Sequence, residues 1–156
     1  DLINWAADSE GVWRPSNIGS ARVEGLEIIT RKEFNEHLTA NLNYTYLNAI
    51  DLEIGTQLKP KHKYGLGLTY FNQFGKNKDD FVINLDGYMV AGRPDNLESY
   101  YLFDANIARD FTLGKEKNKK VNLSFSIKNL FDQKPELVSG YPIQGRTYLL
   151  GISTEF

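Results

Sequence analysis

The stretch LTANLNYTY, Leu38 to Tyr46, decides the fold class. Leu38, Ala40, Leu42, Tyr44 and Tyr46 alternate with Thr39, Asn41, Asn43 and Thr45. A period of two puts the apolar and aromatic side chains on one side and the amides and hydroxyls on the other, whereas a helical period would scatter both sets around an axis. The spacing predicts a β-strand with one greasy face and one wet face.

Outward from this segment the alternation recurs. Tyr64, Leu66, Leu68 and Tyr70 alternate with Gly65, Gly67 and Thr69, and Phe81, Ile83 and Leu85 with Val82, Asn84 and Asp86. Tyr101 to Ala108, Val121 to Lys128 and Thr147 to Phe156 repeat the pattern. From Ala21 to Arg31 the phase is mixed, because Val23 and Ile29 share one parity and Leu26 and Ile28 the other, so a bulge is expected at Gly25. With Leu2 to Ala6 this makes eight strand-like segments, no helical pattern of useful length, and an all-β chain.

The links set the topology. Gly11–Ser20, Asp51–Lys61 and Asp132–Gln144 are long, and Arg93–Ser99 is intermediate. A tight turn falls near Asn35, and Gly75–Asp80 and Gly114–Lys120 are short. Outer-membrane barrels place short turns at the periplasm and long loops outside, so the alternation of lengths predicts an antiparallel up-and-down sheet whose last strand ends at the periplasmic face. Pro15, Pro60, Pro94, Pro135 and Pro142 all fall in these links, and no proline is expected to interrupt a strand.

Composition leaves both a soluble and a membrane-embedded sheet open: of 156 residues 24% are charged and 41% hydrophobic, with a net charge of -2. No run reaches the ~18–20 apolar residues of a membrane helix, whereas β-spans of about 10 alternating residues fit. There is no cysteine for a disulfide or thiolate site. Scattered Lys and Arg form no basic stripe, which argues against nucleic acid. The opening Asp1-Leu2-Ile3-Asn4-Trp5 carries no initiating Met or export signal, so the chain is expected to be part of a longer one.

Alternation alone also fits a soluble β-sandwich or a ligand-binding barrel. Aromatic residues near strand ends favour a membrane, where amphipathic rings sit at the headgroup level: Tyr44, Tyr46, Tyr64, Tyr70, Phe74, Phe81, Tyr101, Phe111, Phe131, Tyr148 and Phe156. Phe156 also carries an apolar face to the last residue, where soluble domains fray. Tyr44, Tyr46, Leu66, Leu68, Phe103, Phe125, Leu150, Ile152 and Phe156 are the expected lipid-facing positions.

Little in the chain suggests bond chemistry, and no enzyme activity or cofactor is expected. His37 and His62 lie far apart with no carboxylate at zinc spacing, so no metal site is expected. Asp79-Asp80 and Asp51-x-Glu53 lack the spacing of a calcium loop and read as solvated turns. Gly65-x-Gly67 opens no helix and is expected to clear lumen space. Lys115, Glu116, Lys117, Lys119 and Lys120 read as a solvated link, or as a contact for periplasmic partners.

The ending GRTYLLGISTEF, Gly145 to Phe156, resembles the last strand of TonB-dependent outer-membrane receptors, and its terminal Phe156 resembles the outer-membrane assembly signal. IKNLFDQKPELVSGYPIQGR, Ile127 to Arg146, is similar to that family's Asn-Leu-Phe-Asp strand end, its loop, and Gly-Tyr-Pro before Gly-Arg. NIGSARVEGLE, Asn17 to Glu27, resembles its Asn-x-Gly-x-Ala run leading to Gly-Val-Glu, with Leu26 in place of Val. LKPKHK, Leu58 to Lys63, resembles its loop exit. The motifs span residues 17–156 in order.

The resemblance implies a barrel of about 22 strands, of which residues 1–156 would supply about the last eight as one piece, without the plug domain and earlier strands. Such an open piece would have two unpaired edges. The implied function is energy-coupled uptake of a scarce nutrient such as a metal-siderophore, haem or cobalamin. The implied partners are outer-membrane lipid and lipopolysaccharide, the TonB complex through the plug, a small nutrient ligand and the barrel-assembly machinery. Trp13, Arg14, Arg93, Asp95, Tyr141 and Gln144, in the outer loops, are the candidates for ligand contact, and Lys59, Lys61, His62 and Lys63 for lipopolysaccharide phosphates. The competing readings are a stand-alone eight-stranded outer-membrane barrel and a soluble β-domain that binds an apolar ligand.

Overall fold

A computed structural model describes residues 2–113 and 119–155. All regular elements among them are strands. β1 (Leu2–Ala7) and β2 (Trp13–Ile18) form a two-stranded hairpin. β3 (Ala21–Glu33), β4 (Leu38–Asp51), β5 (His62–Phe74), β6 (Asp79–Ala91), β7 (Tyr100–Leu113) and β8 (Lys119–Lys128) follow. β9 (Glu136–Val138) and β10 (Tyr141–Pro142) make a small hairpin before β11 (Thr147–Glu155).

Seven strands form one antiparallel meander in the order β11-β8-β7-β6-β5-β4-β3, with β3 and β11 as its two edges. β4 and β7 run for 14 residues and β3, β5 and β6 for 13, against a usual ~5–6 in soluble proteins and ~9–11 needed for a tilted membrane crossing. Long and short links alternate as the sequence implies. Residues 34–37 and 75–78 turn tightly at one end, and residues 52–61, 92–99 and 129–146 form the longer connections at the other. The Asn35 carboxamide oxygen closes the first tight turn by accepting from the His37 and Leu38 N–H groups at 2.8 and 2.9 Å.

Register carries the alternation across the whole sheet. Leu42 faces Leu66, Tyr44 faces Tyr64, Leu68 faces Leu85, Ile83 faces Ile107, Ile107 faces Phe125, and Phe125 faces Leu150. One face is therefore apolar over seven strands, and no second layer covers it. Leu150 is 77% and Ile152 67% exposed. The buried apolar residues, Ala49, Val90 and Leu102, have the opposite parity and lie near the long-loop end, where the Leu58 N–H bonds the Ala49 carbonyl at 2.8 Å. The sheet is thus covered by its own loops at one end of its polar face, and its apolar face is left bare.

Several expectations are corrected. Leu2–Ala7 does not join the main sheet. It pairs with β2, a strand inside the link read as a loop, because the six residues on either side of the turn at residues 8–12 fold back on one another as a hairpin. Pro15 lies within β2 opposite Trp5, and Pro142 lies within β10. Both hairpins leave one edge of each strand unpaired, which is where a residue without an N–H fits. Gly25 holds no bulge, since β3 pairs with β4 without a shift from Ala21↔Asp51 to Glu33↔Thr39. Asp79 and Asp80 open β6 instead of lying in a turn, and Asp79 accepts the Thr112 N–H at 3.0 Å across the sheet. Asp51 is not solvated. It is 6% exposed, and its carboxylate accepts the Glu53 N–H at 2.8 Å, fixing the turn that follows β4. Phe156, Lys115, Glu116 and Lys117 lie outside the described residues.

Candidate functional site

The polar face is built from the residues that alternate with the apolar ones. On four neighbouring strands Thr69, Asn84, Asn106 and Ser126 stand opposite one another in register. The Thr69 hydroxyl donates to Asn84 at 2.9 Å, the Asn84 amide to Asn106 at 3.5 Å, and the Asn106 amide to the Ser126 hydroxyl at 2.8 Å. Nearer the turns, Asn122 donates to Asp110 at 2.6 Å, and nearer the loops the Lys128 ammonium pairs with Asp104 at 2.8 Å. These polar groups satisfy one another sideways, as a wall facing water inside a barrel requires.

At the long-loop end this wall opens into a cleft of about 850 Å³. Lys63, Asp86, Tyr88, Arg93, Asp95 and Tyr100 contribute to its lining. Gly65 also borders it, and a Cβ there would collide with the Asn43 carboxamide, so the glycine makes room for an inward-turned neighbour. The size falls within the ~300–1,000 Å³ of small-ligand sites. No His, Cys, Asp or Glu cluster able to hold a metal occurs among the described residues.

Of the six loop candidates, the structure brings Arg93 and Asp95 to the cleft. Arg93 is heavily engaged: its guanidinium donates to the carbonyls of Glu98 at 2.9 Å, Glu136 at 2.6 Å and Leu137 at 3.0 Å, and lies 4.9 Å from the Tyr100 ring centroid. It straps the 92–99 loop to the 129–146 loop. Asp95 and Asn96 adopt φ of 59° and 56° in the exposed tip of the first of these loops. Trp13 and Arg14 lie on β2, away from this lining, and Arg14 pairs with Asp8 at 2.8 Å. The Val12 N–H, which also bonds Asp8, holds that carboxyl below the usual carboxylate range. Tyr141 is 73% exposed on β10, and the Gln144 carbonyl accepts from Asn129 at 3.2 Å.

Asn129 is the residue that sequence reasoning left without a task. It is 5% exposed with φ of 54°. Its N–H donates to Asp104 at 2.8 Å, its amide to the Gln133 carbonyl at 2.6 Å, and its carboxamide oxygen accepts the Gln133 N–H at 2.9 Å. Within the same Asn-Leu-Phe-Asp motif the Leu130 N–H bonds the Phe103 carbonyl at 2.6 Å, and Phe131 packs edge-on to Phe103 at 5.5 Å. The motif locks the end of β8 to β7 and to the start of β11.

On the apolar face the expected positions Tyr44, Tyr46, Leu66, Leu68, Phe103, Phe125, Leu150 and Ile152 share one side of the registered sheet. Aromatic rings gather toward its ends. Tyr44 stacks on Tyr64 at 4.9 Å and shares a 3.0 Å hydrogen bond with His62 near the loops, while Phe74 meets Phe81 at 5.5 Å near the turns. Lys63 has the opposite parity from Tyr64 and borders the cleft, so it is separated from His62 and cannot join it on the outer face.

No curated protein matches the chain. A family model described as TonB dependent receptor-like, beta-barrel, matches residues 1–130, which reaches from β1 through Leu130 of the Asn-Leu-Phe-Asp motif. That family consists of transporters of the bacterial outer membrane that work with TonB, and the long antiparallel strands, the alternating links and the apolar face agree with it. The chain belongs to the TonB-dependent receptor-like β-barrel family.

Proposed function

We propose that this chain supplies wall and outer loops to a transporter for a scarce nutrient such as a metal-siderophore, haem or cobalamin, with the nutrient engaging the cleft at the long-loop end. The observation that carries the reading is the pairing of a bare apolar face over seven strands with an opposite face on which a hydrogen-bonded polar ladder crosses four of them. Lipid covers the first and a watery lumen the second. Residues 1–156 would be the C-terminal part of one barrel whose plug and earlier strands lie elsewhere in the protein. The long loops would face outward, with β11 ending at the periplasm.

A soluble β-domain has against it an apolar face without a second layer, and a closed eight-stranded barrel has against it a seven-stranded sheet with two open edges. Within the cleft Tyr88, Tyr100 and Asp95 would meet the nutrient, with Arg93 holding the loops that frame it. Titrating the full-length gene product with ferric siderophores, haem and cobalamin by calorimetry tests the reading. Saturable binding of one of them, weakened by Tyr88→Ala and Asp95→Ala, is expected. A protein that sits in the outer membrane and binds none of these nutrients would overturn it.

A further inference from the structure

Arg109 stands on the apolar face of β7, where its register partners are Phe81 on β6 and Leu123 on β8. Its side chain is exposed and makes no hydrogen bond or ion pair with a described residue. The guanidinium carbon lies 5.0 Å from the Phe111 ring centroid and 5.8 Å from that of Phe74. A cation among lipid-facing rings demands an anion, because cation–π contacts leave its N–H donors unfilled.

Depth identifies the anion. β7 has 14 residues, which at ~3.4 Å each and a tilt of ~45° span a height of about 34 Å, against an apolar band of ~25 Å. Arg109 lies four positions before Leu113, the turn-side end of the strand, a height of about 10 Å from that end by the same geometry. Its Cα is therefore only some 5 Å inside the band, within reach of a side chain that leans over Phe111 toward the headgroups. The group concentrated at that level is the lipid phosphate, and the planar guanidinium fork fits it in a bidentate manner.

We propose that Arg109, flanked by Phe74 and Phe111, is a binding site for the phosphate of a phospholipid in the leaflet at the short-turn end of the barrel. The site rests on the barrel-wall reading given above. It tethers β5 and β7 to the membrane at a fixed depth, and the two rings, Phe74 of β5 and Phe111 of β7, supply the apolar sides against which the acyl chains lie.

The full-length gene product, extracted in mild detergent and supplied with phosphatidylglycerol, provides the test by native mass spectrometry. Wild type is expected to hold one more lipid than Arg109→Gln, whose occupancy falls by roughly threefold or more, with Arg109→Lys between them because it keeps the charge and loses the fork. Phe111→Leu keeps the arginine and should also lower retention, which guards against a misfolded Gln variant. Equal retention by wild type and both Arg109→Gln and Phe111→Leu would overturn the site, as would displacement of the lipid by inorganic phosphate alone. A gene product missing from the outer membrane would sink the barrel reading itself, whereas an inserted, heat-modifiable protein with equal retention would sink only this site.

Discussion

The carboxylate of Asp132 accepts a hydrogen bond from the backbone N–H of Arg146 at 2.7 Å, joining the two ends of the 129–146 loop. Gly145 stands beside it because a Cβ there would come within 2.6 Å of the same carboxylate oxygen. The Arg146 N–H holds the Asp132 carboxyl below its usual range. A depressed folded pKa means that the stabilisation is complete above the unfolded value of about 4 and is lost as pH falls through the folded one. Hydrogen exchange of the Arg146 amide should therefore be slow at neutral pH and accelerate, after correction for intrinsic rates, only below about pH 4. Asp132→Asn, which retains an acceptor without the charge, should flatten that dependence.

Asn129 is expected to be the costliest single polar residue to remove. Asn129→Ala strips a buried side chain of its bonds to Gln133 and Gln144 and leaves a left-handed φ to alanine. The expected loss is about 2–4 kcal/mol in the folding free energy of the membrane-inserted protein, measured by urea titration. Asn129→Gly, which relieves the φ but not the lost bonds, should recover about 1 kcal/mol of it.

Asn106 sits between two neighbours in the polar ladder. Asn106→Leu should cost about 1–2 kcal/mol in the same titration, because Asn84 and Ser126 lose their partner. The double replacement Asn106→Leu with Ser126→Ala should cost less than the sum of the single ones, the coupling that a direct hydrogen bond requires.

Much of this architecture was legible in one dimension. A period of two is a local property of the backbone, so Leu38–Tyr46 already fixes which side chains share a face, and the link lengths order the strands. The N-terminal hairpin was misread because Gly11 and Pro15 are turn residues in any window, while pairing of Trp5 with Pro15 depends on a ladder of only two strands. Asp51 read as a solvated turn residue, and Asn129 only as part of a strand-end motif, because burial by distant segments leaves no mark on their own neighbours in sequence. The loop-bracing bonds of Arg93 leave no local mark for a similar reason: the Glu136 and Leu137 carbonyls that accept from it are more than 40 positions away. Arg109 carries a faint sequence signal, a charge at an apolar parity between Ile107 and Phe111, which the alternation exposes once it is tabulated by face.

Adjacent residues on β5 point to opposite sides, so their tolerance of charge should differ. Leu68→Arg places a cation on the bare apolar face in mid-strand and should cost about 2–4 kcal/mol, whereas Thr69→Arg lies on the polar face and should cost less than about 1 kcal/mol beyond its lost hydrogen bond. Heat-modifiable mobility and urea midpoints of the two variants in the full-length protein read this difference.

The assignment of the two faces is tested most directly by spin-label accessibility along β5 in membranes. This chain contains no cysteine, so single labels at Gly65 through Phe71 in an otherwise cysteine-free full-length protein report each position separately. A period of two is expected, with Leu66, Leu68 and Tyr70 open to dissolved oxygen and Gly65, Gly67, Thr69 and Phe71 open to a water-soluble nickel reagent. Uniform exposure to the nickel reagent, or the opposite phase, would contradict it.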